Sequence, residues 1–323
     1  MVAAVRVHKV GGPEVLTFEE IDIPAPGAKD IRIRHRASGI NYIDTYLRTG
    51  MYPTPLPFVA GNEGAGDVIA IGSDVKDFKV GDRVAYVHAT GGYAGERNLP
   101  AKRAVKLPAN ISYDQAAGMM LKGMTVQYLV RRTHRIEKGE TVLIHAAAGG
   151  VGLIACQWAK HLGATVIGTV GSREKAELAK RNGCDHTILY GSEDFVARVK
   201  EITNGKLCHV VYDGVGKATF PGSLDCLRPL GMFASFGSAA GPIEAFNINI
   251  LAAKGSLFVT RPTLNTYTAT REDLLATAND LFTVVASGAV KIPVNQKYPL
   301  KEAVQAHRDL EGRKTTGASI LVP

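Results

Sequence analysis

The chain has 323 residues, 46% hydrophobic and 21% charged, a composition that suits a folded globular protein with ample core for two domains or one large one. Its 38 Lys and Arg against 30 Asp and Glu give a formal charge of +8, which favours anionic ligands, yet no long basic cluster or aromatic–basic interleaving marks a nucleic-acid reader. Four scattered cysteines, Cys156, Cys184, Cys208 and Cys226, form no Cys-x-x-Cys pair and read as free buried thiols in a reducing compartment.

Residues 1–110 are strand-rich. Alternating runs at Ala3–Val7, Asp30–Ala37 and Gly66–Ile71 are separated by Gly-Pro, Pro-Ala-Pro-Gly and Gly-Ser-Asp turns, and Phe78–Tyr86 reads as a turn feeding a strand. This part predicts a β-barrel-like domain. The N-terminus opens directly into a strand pattern and lacks a charged-then-apolar leader layout. After Pro108 the pattern predicts a capped helix over 112–118 and another over 125–133. The densest basic run, Arg131-Arg132-Thr133-His134-Arg135, reads as a solvated face or a helix end.

From Glu140 to about Thr260, strands at Thr141–His145, Thr165–Val170, His186–Leu189, Val210–Asp213, Gly231–Phe236 and Leu257–Thr260 alternate with helical segments. That alternation predicts a parallel, doubly wound sheet. Beyond Pro262 follow a long helix (Arg271–Ser287), a Pro-containing strand region, a helix (Lys301–Glu311) and a last strand, Ser319–Val322, expected to rejoin the first domain. The longest apolar stretch, around 142–159, is broken by His145 and three glycines and is no membrane span. A cytoplasmic protein is expected.

The segment Thr141–Leu162 carries the most information. A strand, a small-residue turn and a helix follow in order, with Ala147-x-Gly149-x-x-Gly152 at the turn. This is the dinucleotide fingerprint with Ala in place of its first Gly. Gly149 lets backbone approach a pyrophosphate, Gly152 lets the helix pack close on the strand, and Gly150 and Val151 lie in the helix start that offers N–H groups to the anion. The bland alternative is a glycine-rich turn that binds nothing. The next strand ends in Gly171-Ser172-Arg173-Glu174-Lys175 with no acid at its tip, where an NAD site places one for the ribose 2′-hydroxyl. Ser172, Arg173 and Lys175 suit a 2′-phosphate, so NADPH is expected over NADH. Ser172 also reads as the cap of a helix over 173–182.

The order of a β-rich part, a dinucleotide insert and a returning tail resembles the medium-chain dehydrogenase/reductase superfamily. Ser38–Tyr46 (SGINYIDTY), Gly61-Asn62-Glu63-Gly64-Ala65-Gly66, Ala146–Gly152 (AAAGGVG) and the ending Arg313–Ser319 resemble its zinc-independent quinone oxidoreductase branch, bacterial NADPH:quinone reductase type, across the whole chain. The resemblance implies an α/β fold: a GroES-like β-barrel-type catalytic domain (1–124 and 262–323) with an inserted Rossmann domain (125–261). Zinc members carry a Cys near Ile40/Asn41 and Gly-His-Glu at 61–63. Here these are missing, as is the four-Cys lobe after about residue 90, so no metal is expected, and His88, His134 and His145 read as structural or surface residues.

As catalytic residues the resemblance implies Asn41, Tyr46 and Tyr52. Asn41 would hold the nicotinamide ribose or carboxamide, and the tyrosines would line a quinone pocket in the cleft between domains; half-buried packing is the plain alternative for each tyrosine. It also implies Asp44, Thr125, Phe258 and Val259 near the nicotinamide and Gly171, Ser172, Lys175 and Tyr190 around the 2′-phosphate end. Phe236, Gly237 and Ser238 follow the fifth Rossmann strand, and Arg313 would come from the tail. Arg313 could clamp a phosphate or pair with Asp309 or Glu311; Tyr190 could stack on adenine or end a strand. A homodimer through the last Rossmann strand is implied, its apolar edge being a liability unless paired. The implied activity is quinone reduction by NADPH, with an enoyl or alkenal reductase as the alternative; a nucleic-acid or lens-type structural role, known in relatives, has no motif to support it.

Overall fold

The computed structural model describes residues 1–87 and 90–323; His88 lies outside them. The chain forms two compact units, one of residues 1–122, 270–282 and 292–323, the other of 123–269 and 283–291.

In the first unit β1 (Val2–Val7) pairs with β2 (Leu16–Ile21). The long β3 (Asp30–Ile40) leads into α1 (Tyr42–Arg48). β4 (Phe58–Val59) joins β1, giving a three-stranded sheet. β5 (Glu63–Ile71), β6 (Arg83–Val87), β7 (Glu96–Pro100) and β8 (Ala104–Lys106) complete the β-rich part. Strand β3 shows why: Ile31 and Ile33 alternate inward with Arg32 and Arg34 outward, and from Ala37 to Ile40 every residue is buried. Ile31, Ile33, Val68, Val84, Tyr86 and Leu99 form one core there.

Helix α2 (Tyr113–Tyr128) replaces the two expected helices with one, ending in a π turn over Leu129–Thr133. The glycine at 118 does not stop it. A Cβ there would lie 3.0 Å from Ala318 Cβ and 3.1 Å from Val294 Cγ2, so Gly118 marks a close contact with returning strands. The basic run after it is packed at a helix end: Arg131 lies over Trp158, Arg132 lies over Tyr267 and donates to its carbonyl (2.8 Å), and His134 meets Glu140 (2.9 Å).

The second unit continues with β9 (Thr141–Ile144), α3 (Gly150–His161), β10 (Thr165–Val170), α4 (Arg173–Arg181), β11 (His186–Leu189), α5 (Phe195–Ile202), β12 (Cys208–Asp213), α6 (Gly222–Asp225), β13 (Leu227–Ser235), α7 (Asn249–Ala253), β14 (Phe258–Thr260) and α8 (Leu264–Tyr267). Its six strands are all parallel, in the order β11-β10-β9-β12-β13-β14. The order reverses between β9 and β12, the place where such sheets open a crevice at their carboxyl ends. Leu143, Ile167, Val211 and Phe233 centre the core, and all four cysteines are buried and free.

Helix α9 (Arg271–Ala286), β15 (Val294–Pro299), α10 (Ala303–Glu311) and β16 (Ala318–Val322) close the chain. β16 pairs antiparallel with β3, Ser319 facing Ile40, and completes the seven-stranded sheet of the first unit. Residues 262–269 and 283–291, expected with the first domain, fall in the second unit. Tyr267 stacks on Tyr128 at 4.4 Å, and Gln157 bonds the Lys291 backbone twice, contacts between distant residues that local sequence does not announce.

Burial of titratable groups sets the acid stability of the first unit. Burial lowers His35 to about 4 and His307 to about 3, the Arg48 charge adding to the latter. The unfolded chain therefore binds more protons below pH 6.5, and stability is lost as pH falls from 6.5 towards 4; His35 alone accounts for about 3 kcal/mol of this. Burial raises Asp44 to about 6, which acts oppositely: its contribution is lost as pH rises from about 4 to 6. The two histidines outweigh the one carboxyl. Denaturant unfolding at pH 4.5, 5.5 and 7 is expected to show stability rising with pH, with a shallower slope in His307→Gln.

Candidate active site

In the second unit the apolar run Val142–Ile144 forms β9, and the chain turns at Ala146, which adopts φ 55° and accepts the Gly149 N–H (2.9 Å). His145, expected as the end of the strand, lies just beyond it. Ala147 stands where the fingerprint has glycine, and the neighbouring strand makes room for its methyl: a Cβ at Gly168 would sit 2.6 Å from Ala147 Cβ. Gly152 has no such freedom, since its Cβ would lie 2.3 Å from the Ala146 carbonyl oxygen. Gly149 caps α3 without a side-chain acceptor, so the first helical N–H groups, from Gly150 to Gly152, are left for a ligand. This turn fits a pyrophosphate: its donors point outward from a helix start, and backbone is bare of Cβ where the anion would approach.

At the tip of β10, Ser172 caps α4 by accepting the Lys175 N–H (3.3 Å), and its hydroxyl holds the Glu174 carboxyl below its usual range. Tyr190, at the end of β11 and nearly half exposed, reaches over Gly171; a Cβ on Gly171 would lie 2.8 Å from the Tyr190 hydroxyl. Gly171, Ser172, Lys175 and Tyr190 therefore share one end of the sheet. After β13, Phe236 donates to the Asp213 carbonyl (2.8 Å) and Gly237 passes so close to Gly214 that a Cβ would meet its oxygen at 2.6 Å, with Ser238 following. Thr125 is buried in α2, and Phe258 and Val259 sit exposed on the edge strand β14, three strands away from β9.

A buried network that sequence reasoning did not single out holds these strand ends together. Asp213 Oδ1 accepts the Val215 and Gly216 N–H groups (2.7 and 3.0 Å), and its Oδ2 accepts the Thr219 hydroxyl (2.6 Å). Ser223 joins Asp213 (3.3 Å) to His145 Nε2 (3.0 Å), and His145 Nδ1 meets Thr169 (3.0 Å). Burial lowers the His145 pKa. His145 is thus structural, and the three strand ends β9, β10 and β12 are cross-linked.

In the first unit Asn41, Asp44, Tyr46 and Tyr52 gather around α1. Asn41 is its N-cap, and Asp44 accepts the Asn41 backbone N–H (2.8 Å). The Tyr46 and Tyr52 rings meet edge to face at 5.4 Å; Tyr46 is buried and Tyr52 is 37% exposed. Beneath them lies a second buried network. Asp44 also accepts Asn62 Nδ2 (2.6 Å) and the Tyr93 hydroxyl (2.9 Å), which lies 3.1 Å from His307 Nε2. Glu63 accepts Asn41 Nδ2 (2.7 Å), Lys122 Nζ (3.1 Å) and the Leu121 N–H (2.6 Å). The one sequence signal for Lys122 is a lone charge in Met119-Met120-Leu121-Lys122-Gly123-Met124. Arg313 lies on the exposed turn after α10 with φ 57°; of its suggested partners, Glu311 pairs with Arg48 (2.7 Å) and Asp309 with Lys314 (3.8 Å).

Among the described residues no three His, Cys, Asp or Glu converge as metal ligands. The Asn41 and Asn62 amides both donate to carboxylates.

Residues 27–138 match the alcohol dehydrogenase GroES-like domain family and 150–279 the zinc-binding dehydrogenase family. A quinone oxidoreductase of Pseudomonas aeruginosa is 51% identical over the full length of both chains. The chain belongs to the quinone oxidoreductase branch of the medium-chain dehydrogenase/reductase superfamily. The Escherichia coli quinone oxidoreductase, solved in complex with NADPH, superposes with a TM-score of 0.98 at 51% identity, covering 99% of this chain and 100% of that one. A 2-haloacrylate reductase of a Burkholderia species is 46% identical, over 100% of this chain and 99% of its own. Like the family, this chain pairs a GroES-like unit with a Rossmann unit, and no helix among the described residues is long and apolar enough to cross a membrane.

Gly152→Ala is expected to weaken NADPH binding more than tenfold and to lower the melting temperature, because backbone must move to admit the methyl. Gly149→Ala, with an ordinary φ of −78° and a Cβ 3.2 Å from the Ala146 oxygen, is expected to cost far less. Fluorescence titration of NADPH and a thermal melt on both variants check the contrast.

Proposed function

We propose that this protein is an NADPH-dependent quinone oxidoreductase that works without a metal. The observation that carries this is full-length identity of 51% to a quinone oxidoreductase crystallised with NADPH, over a chain whose fingerprint turn is built to receive a pyrophosphate. When bound, NADPH supplies a hydride equivalent; quinones are electrophilic enough to accept it without a Lewis acid.

The chain's own residues bind, orient and exclude water. Gly149, Gly150, Val151 and Gly152 hold the pyrophosphate on the α3 start. Gly171, Ser172, Lys175 and Tyr190 surround the 2′-phosphate end, where the absence of an acid at the very tip of β10 favours NADPH over NADH, and Arg313 adds a guanidinium to it. Phe236, Gly237 and Ser238 pass beneath the cofactor. Asn41, Asp44, Thr125, Phe258 and Val259 serve the nicotinamide end, while Tyr46 and Tyr52 present ring faces and hydroxyls to the quinone. A homodimer through β14 is supported by its open edge, where Phe258 and Val259 are exposed. We place the protein in the cytoplasm, consistent with its four free thiols.

The 46% identity to a 2-haloacrylate reductase favours a second reading, reduction of an activated C=C with Tyr46 or Tyr52 as the acid. Initial rates of NADPH and NADH oxidation with a simple quinone and with an alkenal separate the two. Quinone-dependent NADPH oxidation that survives exhaustive chelation is expected. Activity with the alkenal alone would transfer the protein to the second reading, and loss on chelation would bring a metal into the reaction.

Arg313→Ala is expected to raise the NADPH KM about tenfold and leave NADH nearly unchanged; equal losses for both would remove Arg313 from the 2′-phosphate. Tyr52→Phe is expected to alter quinone turnover at constant NADPH affinity, and a collapse of NADPH binding would assign Tyr52 to the cofactor or the fold instead.

A further inference from the structure

The two ends of the Asn41 amide are not interchangeable. Its Nδ2 donates to Glu63 Oε1 at 2.7 Å, an oxygen that also accepts from Lys122 Nζ, so the NH₂ end faces Glu63 and the carbonyl Oδ1 faces away. Three donors surround the carboxyl of Glu63 in its fully buried position. Lys122 Nζ lies at 3.1 Å from the same oxygen, the Leu121 N–H donates to the other at 2.6 Å, and Asn41 itself donates. Lys122 also donates to the carbonyl of Ile40 (3.0 Å), the residue before Asn41, while Asp44 accepts the Asn41 N–H (2.8 Å). Backbone and side chain of Asn41 are both pinned. Glu63 can approach this closely because position 39 carries no side chain: a Cβ there would lie 2.2 Å from Glu63 Oε1.

We propose that Glu63 and Lys122 are positioning residues that lock Asn41 as a hydrogen-bond acceptor for an N–H or O–H donor on the nicotinamide half of NADPH. This rests on the reading that NADPH is the reductant and that Asn41 serves its nicotinamide end. The chemistry narrows what Asn41 touches. A carboxamide N–H or a ribose hydroxyl can donate to Oδ1; a quinone carbonyl cannot, so the quinone is oriented by other groups. Lys122 acts through its contacts with Glu63 and the Ile40 carbonyl.

The test measures NADPH dissociation constants by nucleotide fluorescence, with 2′,5′-ADP, which lacks the nicotinamide half, as the control ligand. Glu63→Gln can present either amide end to Asn41, and it is expected to weaken NADPH about tenfold with 2′,5′-ADP unchanged. The double variant Glu63→Gln/Lys122→Met removes both charges at similar volume and guards against an unfolded single variant; it is expected to show the same loss with a retained thermal transition. Lys122→Arg keeps the cation and is expected to restore near-normal binding. Asn41→Ala is expected to match Glu63→Gln, and combining the two adds nothing further. An NADPH analogue with acetyl in place of the carboxamide assigns the donor: weakened binding to the parent protein identifies the carboxamide N–H, and undiminished binding identifies the ribose hydroxyl. If the parent protein binds no NADPH, the proposed function itself fails. If it binds NADPH and the Glu63 and double variants bind equally well, the positioning role is overturned; parallel loss of 2′,5′-ADP overturns it too.

Discussion

Two carboxylates, Asp44 and Glu63, are removed from water in the first unit, and satisfying them dictates how its elements meet. A buried carboxylate without donors is prohibitively costly, so each recruits them from different parts of the chain. Asp44 draws on the start of α1, on Asn62 before β5, and on Tyr93, itself joined to His307 of α10. Glu63 of β5 draws on Asn41 and on the Leu121–Lys122 segment of α2. The corner between β3 and α1 is rigid because these requirements converge on it. Asp44 remains the stressed member, its carboxyl raised to about 6 by burial despite three donors.

The second unit solves a different problem, bringing backbone close to an anion. Its glycines are arranged around contacts too short for a Cβ, at Gly152 against Ala146 and at Gly237 against Gly214. The departure at Ala147 from the glycine pattern is compensated across the sheet by Gly168. The His145–Ser223–Asp213 network then holds three strand ends in place, so that the loops that would carry the cofactor stand on a rigid base.

Within the first unit the Asn41 and Asn62 amides donate to carboxylates, and the Lys122 ammonium lies against one of them. Such amide-to-carboxylate bonds fix geometry as coordination does, by leaving a side chain only one satisfied orientation.

The sequence by itself determined the parallel sheet, the dinucleotide turn and the cap at Ser172, because these depend on local periodicity, on glycine spacing and on hydrogen bonds spanning three residues. It also carried the family resemblance through contiguous motifs. Only the tertiary structure decided that α2 runs on through Gly118, that 262–269 stays with the second unit, and that Glu63 and Lys122 act on Asn41. The physical reason is common to all three. Each depends on a contact between residues far apart in the chain: Gly118 with Ala318, Tyr128 with Tyr267, and Glu63 with Lys122 across 59 positions. A lone lysine in an apolar helix says that a partner must exist, and only the folded chain says which one.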